Sequence, residues 1–135
     1  MFPPYITTVE DAIDFLPIWA ERIGGTLRDG IDATAPRPGI IDVDDFHIDF
    51  IASGTVLTVA ISFSTELIAD YYKFDLRRID GTLLWREDNH PGHAQQHGGP
   101  HHLHIGPEED HRIPANPATL TSIAKKVVIT HLSIE

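Results

Sequence analysis

Cysteine is absent from the 135 residues, so the chain has no disulfide framework, no thiolate zinc site and no cysteine nucleophile. Basic residues are scarce too. Ten Lys and Arg, only three of them Lys, face twenty Asp and Glu, for a formal net charge of −10. That balance opposes nucleic-acid binding through a broad basic surface. A nucleic-acid enzyme of this composition needs a local positive pocket, or positive charge from protonated His. No apolar run approaches the roughly 20 residues that span a bilayer. The opening "MFPPYITTVEDAIDF" lacks the basic start and continuous apolar core of a signal peptide. A cytoplasmic protein with no membrane partner is expected. Apolar residues at 41% and charged residues at 22% are ordinary for a soluble globular chain. The length fits one domain with a real core, residues 1–135.

Thr7 and Glu10 have the spacing of a capping box. Val9, Ile13, Leu16, Ala20 and Ile23 then recur at helical intervals until Gly24-Gly25, which predicts an N-terminal helix over about 8–23. Pro17 removes a backbone hydrogen bond inside it, so a kink or an early end is expected. Gly30 to Gly39, with Pro36 and Pro38, reads as a loop. From Ile40 to Ile51 apolar and acidic residues fall on both alternation faces, a mixed signal. After a turn candidate at Gly54, Leu57, Val59, Ile61 and Phe63 alternate with Thr58, Ala60 and Ser62 as in a half-buried strand. Near the C-terminus, Asn116 is a good N-cap and Pro117 suits the first helical position. Leu120, Ile123, Ala124, Val127 and Val128 form one apolar stripe, which predicts a helix over about 117–129. The predicted class is α+β: an antiparallel sheet of about five strands over about 40–105, flanked by an N-terminal and a C-terminal helix.

The segment "YYKFDLRRIDGTLLWRED" joins two β-rich runs at Asp80-Gly81, a strong hairpin signal. With those two as the loop, Ile79 lies opposite Thr82, Asp75 opposite Arg86 and Lys73 opposite Asp88. Each opposed charge pair supports such a hairpin by a few tenths to about 1 kcal/mol. Phe74, Leu76, Leu83 and Trp85 gather on the other face. The charged face leads into "DNHPGHAQQHGGPHHLH", which holds six of the nine histidines.

Three uses of that stretch compete. On a strand, His102 and His104 point one way and His101 the other. With His93, His97 or Asp88 as a third ligand and water as a fourth they can ligate a divalent metal such as zinc or manganese, although no fixed zinc motif such as HExxH is present. Without metal, the same imidazoles can serve as the acid and base of RNA cleavage through the 2′-hydroxyl. Arg86 would then clamp the phosphate and Asp88 would orient one His, with His93 or His101 in reserve. The third use involves no chemistry. His90, His93 and His97 lie among turn residues of a solvated loop, and Arg86 and Asp88 act as strand partners of Asp75 and Lys73. His47 and His131 read as structural, and the Asp run at 42–45 as a solvated face. A binding module whose acidity neutralises a basic partner is the reading from a different class.

"YKFDLRRIDGTLLWREDNHPGH", followed by "PHHLHIG" and a capped C-terminal helix, resembles the TumE-type toxins of bacterial and archaeal toxin–antitoxin modules. Their pattern is a hairpin ending in R-x-D-N or D-N, a variable linker, then H-H-x-H or H-x-H. The matching positions are Arg86, Asp88 and Asn89, then His101, His102 and His104, within about residues 70–130. The linker here carries extra histidines, and the first half of the chain has no matching motif. The resemblance implies a small α+β protein encoded beside a helix-turn-helix antitoxin, with RNA as the substrate. The expected function is therefore a metal-independent endoribonuclease without cofactor, a homodimer being the self-assembly to test. A metal-dependent hydrolase or nucleotide-processing enzyme is the alternative.

Overall fold

The computed structural model describes residues 6–64, 69–89, 101–107 and 112–134. These form two helices, α1 (Val9–Arg22) and α2 (Leu120–Ser133), and eight strands. The strands are β1 (Thr26–Leu27), β2 (Ala33–Arg37), β3 (Ile40–Phe50), β4 (Thr55–Ser64), β5 (Ala69–Arg78), β6 (Leu83–Asp88), β7 (His102–Ile105) and β8 (Arg112–Pro114). They pair antiparallel in the order β1-β3-β4-β5-β6-β7-β8, and β2 also pairs with β3. The class is α+β, with a terminal helix on either flank of the chain as expected. The strand number is eight and not about five. β1 and β8 are too short to show alternation, and β2 lies in the Pro-rich stretch that reads as a loop. Pairing with a longer neighbour makes these three into strands.

Capping differs from expectation by a few residues. Thr8, not Thr7, caps α1: its Oγ1 accepts from the Asp11 N–H at 3.0 Å, and the Asp11 carboxylate accepts from the Thr8 N–H at 3.1 Å. Pro17 neither ends nor shortens the helix, which runs on to Arg22. Its buried face is Ala12, Phe15, Leu16, Trp19 and Ala20, while Ile13 is exposed. Two aromatic rings outweigh one Ile in buried area, and they set the rotation of the helix. At the other end Thr119, boxed with Ser122, caps α2 in place of Asn116-Pro117. Ile123, Ala124 and Val127 are buried there, and Val128 is exposed.

The mixed pattern of β3 has a geometric cause. Val43 pairs with Ile61 but Phe46 with Val59, so one extra residue bulges out between them. The bulge inverts the alternation: Ile41 and Val43 face the core before it, and Phe46, Ile48 and Phe50 after it. With Leu57, Val59 and Ile61 of β4, Tyr72, Phe74 and Leu76 of β5 and Trp85 of β6, they pack against both helices. Trp19 Nε1 donates to the Leu120 carbonyl at 3.2 Å, joining α1 to α2. Trp85 Nε1 donates to Thr130 Oγ1 at 2.9 Å, joining α2 to the sheet.

The β5–β6 hairpin sets Asp75 opposite Arg86 and Lys73 opposite Asp88, as expected. Its turn is one residue longer than the two-residue loop. Arg78 N–H donates to the Thr82 carbonyl and Gly81 N–H to the Arg78 carbonyl, both at 2.9 Å. Ile79 therefore does not face Thr82. Gly81, at φ 94°, supplies the left-handed residue that closes this longer turn. Arg77 then pairs with Leu83, and a register shift after Leu76 restores the expected pairing from Trp85 onward.

His131 is structural, as expected. Its Nε2 lies 2.8 Å from Thr55 Oγ1, and its ring meets Phe50 edge-on at 4.6 Å. Burial holds its imidazole below the ordinary value of 6.5. The fold thus favours the neutral ring, while the unfolded chain takes up a proton at higher pH. The stability this confers is complete above the unfolded pKa and is lost as pH falls through the lowered folded value. Urea unfolding measured from pH 7.5 downward should show His131→Gln losing less stability towards acid than the wild type. Parallel losses in the two proteins would refute this account.

Candidate functional site

Three adjacent strands align the charged residues in two rows. Asp75, Arg86 and His104 are successive cross-strand partners on β5, β6 and β7, and so are Lys73, Asp88 and His102. Period-two alternation puts all six on the sheet face away from the helices, because Phe74, Leu76 and Trp85 occupy the other face. β7 owes its place to the alternation in "HHLHI" and to Gly106. The Gly106 N–H donates to the Leu84 carbonyl at 2.9 Å, and a Cβ there would collide with the Leu83 backbone.

The carboxylates and imidazoles are buried, with His102 and His104 each only 1% exposed. The side chain of Arg86 is 22% exposed and that of Arg77 28%. Asp75 grips Arg77 through both oxygens, Nε to Oδ1 at 2.8 Å and Nη2 to Oδ2 at 3.1 Å. Asp75 Oδ2 also lies 3.7 Å from Arg86 Nη1. Arg86 Nε reaches Asp88 Oδ2 at 3.3 Å, and its Nη2 lies 3.4 Å from His104 Nδ1. His104 Nε2 sits 3.0 Å from Asp88 Oδ2, close enough for strong attraction though off the line of a good hydrogen bond. The partners select a tautomer. A guanidinium only donates, so Nδ1 accepts from Arg86 and the ring proton sits on Nε2, towards the Asp88 carboxylate. The ring of His102 follows at 6.4 Å from that of His104, centroid to centroid. Two guanidiniums and two carboxylates alternate along this row, so it is neutral while both imidazoles are neutral.

Arg86, Asp88, His102 and His104 are thus brought together. His101 is not. It lies on the opposite side, where its Nδ1 meets the Tyr72 hydroxyl at 2.7 Å. That hydroxyl also accepts from the Ala118 N–H at 3.1 Å, so His101 tethers β7 to the approach to α2. Burial raises the Tyr72 phenol above its ordinary pKa of 10.0 and keeps it a hydroxyl. His90, His93 and His97 lie outside the described residues. Lys73, opposite Asp88 in register, instead directs its ammonium to Asp45 at 3.6 Å. Among the described residues no three His, Asp or Glu side chains converge as a metal-binding set, Asp88, His102 and His104 included. No motif in the sequence marks Arg77. The signal was its place two residues after Asp75 in "DLRR", which puts both on one strand face. Asn89 closes the motif structurally, its Oδ1 accepting from the Tyr72 N–H at 2.9 Å.

A family model described as Toxin TumE matches residues 25–131. That span includes every residue of the Arg77–His104 row and omits α1. No curated protein and no solved structure matches the chain.

The row also makes a stability prediction. Asp75 is buried against two guanidiniums, whereas the Lys73–Asp45 pair is open to solvent. Asp75→Ala should cost about 1–3 kcal/mol, because it leaves charged donors without their acceptor. Lys73→Ala should cost under about 1 kcal/mol. Equal losses on chemical denaturation would show that burial does not set the strength of the row.

Proposed function

The chain belongs to the TumE toxin family, and from that premise we propose that this toxin of a toxin–antitoxin module is a metal-independent endoribonuclease. The contact set of Arg86, Asp88 and His104 beside His102 carries the proposal. It supplies a cation for phosphate, an orienting carboxylate and two separate imidazoles in one place. Its antitoxin partner, by the same reading, is a helix-turn-helix protein.

In this mechanism the 2′-hydroxyl of the substrate attacks the adjacent phosphorus. The O2′–P bond forms and the P–O5′ bond breaks, giving a 2′,3′-cyclic phosphate and a 5′-hydroxyl. One imidazole takes the 2′ proton and the other gives a proton to the departing 5′-oxygen. Arg86, partly exposed beside the buried Asp88, His102 and His104, meets the phosphoryl oxygens with its planar fork. As Arg86 turns to phosphate it leaves Nδ1 of His104, whose lone pair then becomes available as the base. Asp88 steadies the imidazolium that results. His102 is the acid. Because both imidazoles are buried in the free protein, substrate entry and the displacement of Arg86 are one event. His101, held by Tyr72, has a positioning role.

The same burial favours a second reading, in which the row is a rigid charged scaffold for binding and no proton moves. Cleavage of RNA by untagged protein in the presence of chelator separates the two. His102→Ala and His104→Ala should each lower the rate by about 10²–10⁴ while the protein stays folded. Arg86→Lys should also be damaging, since ammonium keeps the charge and loses the fork. Growth arrest on expression should track the cleavage rates. Equal arrest by all variants would favour the scaffold. Stoichiometric zinc or manganese whose removal abolishes cleavage would establish the metal-dependent alternative.

A further inference from the structure

Helix α2 is apolar on two sides. Ile123, Ala124 and Val127 are buried against the sheet, while Val128, Ile129 and Leu132 are 45%, 63% and 73% exposed. With Lys125 these three fall at helical spacing on one outward stripe. Ile51 and Ile79, at 83% and 74% exposure, tip the β3–β4 and β5–β6 turns. Those turns lie at the same end of the molecule as the last turn of α2, because His131 contacts Thr55 and Thr55 pairs with Arg78. Charge distinguishes this region as well. The chain carries −10 overall, yet α2 contains two Lys and no carboxylate. Lys126 is engaged by Glu87 at 2.8 Å, while Lys125 is exposed to solvent on the outward side.

We propose that the outer stripe of α2 (Lys125, Val128, Ile129 and Leu132) is the docking surface for the antitoxin. The partner segment is an amphipathic one, with apolar side chains against Val128, Ile129 and Leu132 and a carboxylate against Lys125. A second copy of this chain suits the stripe less, since each copy brings a charge of −10 to the contact. The stripe lies on the helical side of the sheet and the Arg86–His104 row on the other. An antitoxin seated on α2 therefore lies across the sheet from the row and does not act by plugging it. Of the functional reading the inference uses only family membership, so it stands whether or not the row cleaves RNA.

Calorimetric titration of the full-length toxin with the purified antitoxin of its own module provides the test. Ile129→Asp combined with Leu132→Asp should weaken binding about 30-fold or more, the loss expected of buried anchor residues. Both positions are solvent-exposed, so the variant should keep a cooperative melt near that of the wild type. Lys125→Glu, which removes no apolar contact, should weaken binding as well, and it decides the matter if the double variant melts early. Arg86→Ala should bind like the wild type. Unchanged affinity in the α2 variants would overturn the proposal, as would loss of affinity confined to Arg86→Ala. It would also fall if light scattering showed a dimer that the α2 variants dissociate while antitoxin binding persists.

Discussion

A slip of one residue between β5 and β6 would carry Trp85 out of the core and drive Arg86 into it. Every side chain on the strand changes face with such a slip. The pairing of Leu76 with Trp85 and of Asp75 with Arg86 is therefore a single constraint seen from two sides. Phe74, Leu76 and Trp85 hold the register through burial, and the same register places the charged residues. β7 inherits it, since Arg86 and Asp88 select His104 and His102 as partners. The core and the candidate site cannot be moved independently.

The charged row is an odd possession for a chain with twice as many acids as bases. Its solution is local neutrality. Asp75 and Asp88 alternate with Arg77 and Arg86, and each buried carboxylate has a guanidinium against it. Buried pairs of this kind add little net stability, because desolvation offsets most of the attraction. Their contribution is geometry. Arg86 is held from three sides, by Asp75, Asp88 and His104, which fixes the direction of its planar fork in the free protein. A neutral row also explains how an acidic protein presents guanidiniums without a broad basic surface.

The sheet separates two jobs. Its helical side carries the core and the outward stripe of α2, and its other side carries the row. Strands β5 to β7 connect them, together with Trp85 packed on α2, Lys126 paired to Glu87, and His101 tied through Tyr72 to the approach to α2. No helix among the described residues is long and apolar enough to cross a membrane, so the exposed apolar residues of α2 are a surface stripe and not a span.

The parts of this protein legible in the sequence are those that neighbours along the chain decide. Alternation in "YKFDLRR" and "TLLWRED" and the opposed charges around Asp80-Gly81 sufficed for the hairpin register from Leu76–Trp85 to Lys73–Asp88, though not for the turn. Helical spacing sufficed for α1 and α2, and the motif sufficed to gather Arg86, Asp88, His102 and His104. Tertiary structure decided what depends on distant partners. The bulge in β3 inverts its alternation because β4 offers one residue fewer. β1, β2 and β8 exist because β3 and β7 have edges to fill. Lys73 chooses Asp45 of β3 over the Asp88 directly opposite, and Asp88 turns to Arg86 and His104. His101 departs to Tyr72, and the two remaining imidazoles become buried. Backbone geometry fixes which face a residue takes. Which charge it finds there depends on the strands that fold against it.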